Sequence, residues 1–328
     1  MIKLVAITVK ICPLTVDRVE IITLVDNVIE NSGSRLHNNV VPVGEWVSQE
    51  NTSPWNTFAG HGLATLIRTH IKRESFEVLY DTGPSGEILL HNIKALGLDL
   101  GAIDAIVMSH GHWDHFNGLT AALDEIGRQE VPVYIHPRML AKRRFVIKTE
   151  RGERIRTLPP VCSLQDITDA GGSPRNTDQP VLVAGDTILR TGEIPRQTEY
   201  ESGFPNHQAF IDGEWVDDSK IVDDNCVIIN TKRGLIVVTG CAHAGVVNSV
   251  NEAIRLTSVN KVRAIIGGFH LMGARNESRV NHTIKDLKSI SPEMIVPCHC
   301  TGAFAQNSIA NAFPMAYVTS SVGNLYRF

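Results

Sequence analysis

The chain has 328 residues, 43% of them hydrophobic and 20% charged, with a formal net charge of −4. Both signs of charge are spread along it, so no basic face advertises a nucleic-acid partner, and no apolar run is long enough to span a bilayer. The six cysteines, Cys12, Cys162, Cys226, Cys241, Cys298 and Cys300, lack the spacing of a disulfide framework, which makes a reducing cytoplasm the expected compartment.

Leu4 to Val9 reads as a first strand rather than a signal peptide, because Lys10 interrupts the apolar run and no small-residue cleavage pattern follows. Ala64 to Thr69 and Phe76 to Tyr80 are β-branched or large apolar runs and predict strands. Gly86 to Leu96 places Leu89, Ile93 and Leu96 at helical spacing, with Gly97 as a stop. Ile103 to Met108 is the next strand, Leu119 to Ile126 a helix and Val131 to Ile135 a strand. From about Arg138 to Val222 the pattern changes: Arg143, Arg144, Arg151, Arg154 and Arg156 punctuate it, and Gly171-Gly172-Ser173-Pro174 and Gly203-Phe204-Pro205 break it. That stretch reads as an insertion into one domain over residues 1–328, either shaping a pocket or forming a passive surface excursion. Asn225 to Asn230 and Leu235 to Thr239 then predict a hairpin, and Val246, Val247, Val250 and Ile254 mark a helix. Val262 to Ile266 is a strand, Val280, Ile284 and Leu287 define a helix face, and Met294 to Val296 closes the set as a strand.

The stretch that carries chemistry is Ser109-His110-Gly111-His112-Trp113-Asp114-His115, directly after the strand at Ile103. Histidine is the commonest metal ligand, and in an extended loop His110 and His112 point the same way while Asp114 and His115 turn to a second ion. This motif with Phe116-Asn117-Gly118-Leu119, preceded by Asp81-Thr82-Gly83, resembles the metal-binding loop of the metallo-β-lactamase superfamily. Leu24-Val25-Asp26-Asn27, Gly60-His61-Gly62-Leu63, Thr191-Gly192-Glu193-Ile194-Pro195-Arg196, Thr239-Gly240-Cys241-Ala242-His243, Gly267-Gly268-Phe269-His270 and Cys298-His299-Cys300 are similar to its dihydropterin–ribosylaminobenzene-phosphate synthase subfamily. The resemblance implies an α/β fold, the αββα sandwich of two β/α halves.

Two divalent ions about 3.5–4 Å apart acidify a shared water towards a pKa of about 7 and clamp attacking and leaving oxygens. One or two zinc ions are expected, with manganese, iron(II) or magnesium as alternatives. Beyond His110, His112, Asp114 and His115, the strand ends offer Cys241, His243, His270 and His299. Cys241 stands where the superfamily usually writes the aspartate of T-G-D, so it is open between a thiolate ligand and a neighbour of one, with His243 swinging in. His299 resembles the superfamily histidine that completes the second ion's shell. His270 is open between ligand and general acid, which leaves Asp114 and His270 as the catalytic candidates. Where the superfamily often places a further H-T-P-G-H histidine, only His136 and His207 lie in the interval, in other settings, so that ligand is either missing or replaced by His243. Asp81 is expected to orient a ligand histidine. Asp26, Asn27 and His61 rest on the resemblance, and Trp113 is a candidate pocket wall. Arg196 is a candidate for a substrate phosphate or carboxylate, or else a surface salt bridge. The implied activity is hydrolysis of a small phosphorylated, ester or lactone substrate, or transfer of a dihydropterin-methyl group from its diphosphate to an arylamine. A redox-sensing protein built on Cys241, Cys298 and Cys300 is the alternative of another class. The expected partner is a small-molecule substrate, with no membrane and no nucleic acid, and a homo-oligomer is open.

Overall fold

Strand Arg18–Val25 sends Val19 and Ile21 to one side and Ile22 and Leu24 to the other, and all four are buried. A strand buried on both faces belongs in the interior of a layered fold. The computed structural model describes residues 10–30, 37–47, 56–273 and 276–328, and among these it builds that layering from two large sheets. In the first, neighbouring strands run Gly172–Asn176, Val131–Ile135, Ala105–Val107, Glu74–Tyr80, Ala64–Ile71, Arg18–Val25, Leu325–Arg327 and Val40–Val41. In the second they run Val181–Val183, Ile188–Arg190, Cys226–Thr231, Gly234–Thr239, Val262–Gly268 and Met294–Cys298, with Thr15–Val16 beside Cys226–Thr231.

The sheets face each other across one apolar layer, in which Ile21, Ile67, Val78 and Val107 meet Val227, Ile236, Val238 and Ile266. Helices Gly86–Ala95 and Leu119–Ile126 cover the outer face of the first sheet, with Leu89, Ile93, Leu119 and Leu123 packed inward. Val246–Thr257, Glu277–Ile290 and Ala303–Ala312 cover the second through Val250, Leu256, Val280, Leu287 and Ile309. The result is the αββα sandwich.

Glu74–Tyr80, Ala105–Val107 and Val131–Ile135 run parallel, as do Gly234–Thr239, Val262–Gly268 and Met294–Cys298. Parallel strands bring their carboxyl ends to one edge, where loops collect functional groups. Asp81, Ser109 to His115, Gly240 to His243, His270 and His299 all follow such ends.

The helix Leu119–Ile126 and strand Val131–Ile135 have the predicted bounds, and the hairpin strands shift by one residue to Cys226–Thr231 and Gly234–Thr239. Leu4 to Val9 lies outside the described residues. Arg18–Val25, Ala303–Ala312 and Leu325–Arg327 were not anticipated. Of the stretch 138–222, Lys142–Thr149, Gly152–Thr157, His207–Ile211 and Glu214–Asp217 form a small third sheet. The residues between them rejoin both main sheets through Gly172–Asn176, Val181–Val183 and Ile188–Arg190. No helix among the described residues is long and apolar enough to cross a membrane.

Candidate metal centre

The loop after Ala105–Val107 is pinned from its first residue. Ser109 donates its amide to Asp81 Oδ1 and its hydroxyl to Asp81 Oδ2, both at 2.7 Å. His112 is extended (φ −90°, ψ 146°), but Trp113–Phe116, which it enters, is one helical turn. The alternation of an extended loop therefore stops at His112, and the helical turn is what carries Asp114 and His115 away from the first pair. Gly62 lies so close to the Asp114 carbonyl and to Pro84 that a methyl group there would overlap both.

Two groups of donors converge. In the first, His110 Nε2 lies 3.0 Å from His112 Nδ1 and 3.2 Å from His243 Nε2. In the second, His115 Nε2 lies 3.1 Å from both His299 Nε2 and Cys241 Sγ, and His299 Nε2 is 3.3 Å from Asp114 Oδ2. Ligands at 2.0–2.1 Å round a tetrahedral ion stand roughly 3.3 Å apart, so these are the separations of donors sharing an ion.

Proton placement supports the same reading. His115 Nδ1 donates to Asp81 Oδ2 at 2.7 Å, and His299 Nδ1 donates to Asn27 Oδ1 at 3.3 Å. The Ser109 hydroxyl proton is given to Asp81, so the Ser109 oxygen accepts from His110 Nδ1 at 2.8 Å. With each Nδ1 occupied by its partner, Nε2 is the atom that His110 turns to His112 and His243 and that His115 and His299 turn to each other. Ring nitrogens this close need a proton or a metal ion between them. The donor set therefore suits divalent metal, and imidazoles with a thiol favour zinc or iron(II) over magnesium.

The electrostatics divide the site. Burial, reinforced by neighbouring imidazoles, holds His110, His112 and His243 well below the ordinary histidine value, so all three are neutral ligands in waiting. His115 goes the other way: burial lowers it, but the carboxylates of Asp81 and Asp114 raise it to about 9. Those carboxylates call for positive charge at this point, which a proton or a metal ion supplies. Burial pushes Asp114 up, yet His115, His299 and His61 outweigh it and keep the carboxyl far below its usual range. Burial also pushes the Cys241 thiol up, so without a cation it is a neutral thiol.

Asp26 and Asn27 hold His299. Asp26 Oδ1 accepts the His299 amide at 3.0 Å, and Asn27 takes both the ring Nδ1 and, through its own amide, the backbone carbonyl. His61 stands half-open at the rim, 3.7 Å from Asp114 Oδ2 and with its ring 4.9 Å from that of His299. His270 packs its ring 4.2 Å from His243 and 4.8 Å from Phe204, in a left-handed backbone conformation (φ 44°). Its Nδ1 is buried without a partner. Trp113, Phe145, Leu158, Phe204 and His270 line a cavity of about 150 Å³ over the metal-facing residues. Arg196 is not there. Its guanidinium bonds the carbonyls of His243, Glu201 and Lys220 and so fastens the backbone of a candidate ligand.

The small third sheet supplies groups that no ligand motif contains. His207 Nε2 lies 3.1 Å from His112 Nε2, and the buried Arg143 bonds the Gly111 carbonyl while its partner Asp223 accepts the Gly111 amide. His207 Nε2 faces His112 from its outer side, while His243 Nε2 meets His110 at 3.2 Å. The only sequence signal for His207 was its position in the interval searched for the further superfamily histidine.

A sequence model of the metallo-beta-lactamase superfamily matches residues 57–176, and the chain belongs to that superfamily. Among its relatives is the 7,8-dihydropterin-6-methyl-4-(beta-D-ribofuranosyl)-aminobenzene-5'-phosphate synthase of Methanocaldococcus jannaschii. The two are 34% identical over 277 residues, or 82% of this chain and 90% of that one. An uncharacterized protein of the same organism is 29% identical over 276 residues, 84% of this chain and 97% of that one. Among solved structures, a metal-dependent hydrolase of the beta-lactamase superfamily has a TM-score of 0.69 at 21% identity, covering 94% of this chain and 98% of that one. The metallo-beta-lactamase fold protein YhfI of Bacillus subtilis has a TM-score of 0.51 at 11% identity, covering 95% of this chain and all of that one. Identities this low show a shared fold.

Proposed function

We propose that this chain is a zinc-type, metal-dependent hydrolase acting on a small phosphorylated or ester substrate that carries a flat ring. The observation that carries the reading is the convergence of two donor groups beneath one aromatic mouth: His110, His112 and His243 for one ion, Asp114, His115 and His299 for a second, with Cys241 between. Ions held there supply Lewis acidity, polarising a phosphoryl or carbonyl oxygen and acidifying water. The chain's own residues do the rest. Phe145, Phe204 and Trp113 offer ring faces and edges that orient an aromatic substrate and exclude solvent. His270, which lines the cavity with its ring against His243, is placed to hold the proton that a leaving group takes up. Arg156 pairs in register with Phe145 and stands exposed, a cation beside the mouth for an anionic substituent.

Group transfer is the second reading, and the 34% identity with the synthase favours it. One experiment separates the two. Zinc-loaded protein is incubated with dihydropterin-methyl diphosphate and the ribosylated aminobenzene phosphate, and product masses are followed with His112→Ala as control. Pterin alcohol made only by the parent supports hydrolysis, and a coupled mass made only by the parent supports transfer. If neither forms, a panel of esters, lactones and phosphodiesters follows, and equal turnover by parent and His112→Ala throughout would sink the metal-dependent reading.

A further inference from the structure

We infer that His207 is a positioning residue for the candidate metal centre: from the small third sheet it fixes the tautomer of His112, so that Nδ1 and not Nε2 is the atom His112 offers to a metal ion. The inference rests on the metal-dependent reading above and adds a residue that no ligand motif contains.

The argument is a chain of protons. His207 is fully buried, and its Nδ1 lies 3.2 Å from Asp218 Oδ2 and 3.3 Å from the Asp218 backbone carbonyl. Both partners are acceptors only, so the Nδ1 carries the proton. Asp218 is itself fixed, because Arg143 Nε donates to the same Oδ2 at 3.2 Å. With the proton on Nδ1, the other ring nitrogen of His207 is offered as the acceptor, and the group facing it at 3.1 Å is His112 Nε2. That contact is a hydrogen bond only if His112 is protonated on Nε2. His112 Nδ1 is left with its lone pair, aimed at the meeting point of His110 and His243. A ligand histidine whose far nitrogen donates to a fixed acceptor is both oriented and made more basic, and losing such a partner typically costs 10–100-fold in metal affinity.

His207 can do this because strand His207–Ile211 pairs antiparallel with Lys142–Thr149, placing His207 opposite Phe145. Phe145 lines the mouth. The same sheet thus carries a wall of the cavity on one strand and the tautomer-setting group on its neighbour.

Two readouts test the inference. The first needs no metal: two-bond ¹H–¹⁵N correlation spectra of the metal-free parent report the tautomer of His112 directly. The Nε2–H form is expected, and an Nδ1–H form would overturn the proposal whatever the protein binds. The second is zinc affinity, measured by competition with a chromophoric chelator, with cobalt(II) absorption as the signature of the ligand field. His207→Ala should weaken one of the bound ions 10–100-fold and alter the cobalt spectrum. His207→Gln, whose amide oxygen can accept the His112 proton, should recover most of that loss. Unfolding midpoints identify a variant that has failed to fold, and His207→Gln then stands as the informative one. Unchanged affinity and spectrum in both folded variants would sink the proposal. A parent that binds neither zinc nor cobalt would sink the metal-dependent reading instead.

Discussion

Asp81 ties the start of the histidine loop to one of its candidate ligands. Its backbone is left-handed (φ 60°), a conformation that costs a non-glycine residue energy and persists only where the surroundings impose it. One carboxylate there satisfies the Ser109 amide, the Ser109 hydroxyl and His115 Nδ1. Asp81→Asn keeps the size but halves the accepting capacity and removes the charge facing His115. We expect zinc affinity to fall about 10–100-fold with the fold retained, read by chelator competition; an unchanged affinity would show that His115 needs no such anchor. Asp224 reports on burial itself. Burial lifts its carboxyl to about 7, while the Ala244 amide and Arg196 pull the other way. Its folded value lies above the unfolded value of about 4, so the folded state holds a proton that the unfolded state has released, and stability falls as pH rises from about 4 to about 7. Asp224→Asn removes that titration and keeps an oxygen for the Ala244 amide. In metal-free protein the variant's melting temperature should gain on the parent's across that window, and a pH-independent gap would refute the assignment. At this scale the candidate ligands were readable, because histidines and an aspartate packed within one short motif have few other uses. His207 and Asp218 were not, since their meaning comes from strand pairing that brings distant residues onto His112.

Among the elements, the small third sheet matters most for the site. Its strand Lys142–Thr149 places Arg143 fully within the protein, where the guanidinium bridges Asp218 and Asp223 and holds the Gly111 carbonyl. Removing one member of a buried ionic network leaves the others uncompensated, typically at a cost of about 3–5 kcal/mol. Arg143→Ala should destabilise by about that much in chemical denaturation and should also loosen the loop between His110 and His112. A loss below about 1 kcal/mol, the level of an exposed pair, would mean that the network is not formed in solution. The arginine-rich composition of this stretch marked it as different, yet the sequence does not say which arginine is buried. Arg143 is interior while Arg144 stacks over Trp215, because adjacent residues of a strand face opposite ways. Similarly, the helical turn Trp113–Phe116 was hidden in a motif that reads equally well as extended chain, and only its packing against Thr82 and Gly83 decides the matter.

At the scale of the whole molecule, each half of the sandwich supplies an incomplete set of donors. His110, His112, Asp114 and His115 follow a strand of the first sheet, and Cys241, His243 and His299 follow strands of the second. An ion held between them would tie the halves together and bind the folded state alone, which contributes about 2.7 kcal/mol when its free concentration is a hundred times the dissociation constant. Stripping metal with a chelator should therefore lower the melting temperature by several degrees, at roughly 2–4 °C per kcal/mol for a domain of 150–250 residues, and re-addition of zinc should restore it. An unmoved melting temperature would count against ions shared between the halves. The alternating strands and helices made the two-half architecture legible, but the short strand Leu325–Arg327 carries no pattern of its own and is defined by the neighbours it joins.

That short strand has a consequence for how the protein is made. It lies between Arg18–Val25 and Val40–Val41, and its Arg327 reaches Glu20 across 307 residues of sequence. While the chain is being synthesised, the first sheet has nearly all its strands early, yet it keeps an open slot until translation has passed residue 327. An open slot between two strands is an invitation to pair with the wrong chain. Until that slot is filled the nascent sheet is exposed to misassembly, and a stop just upstream of Leu325 would leave Arg18–Val25 and Val40–Val41 unjoined.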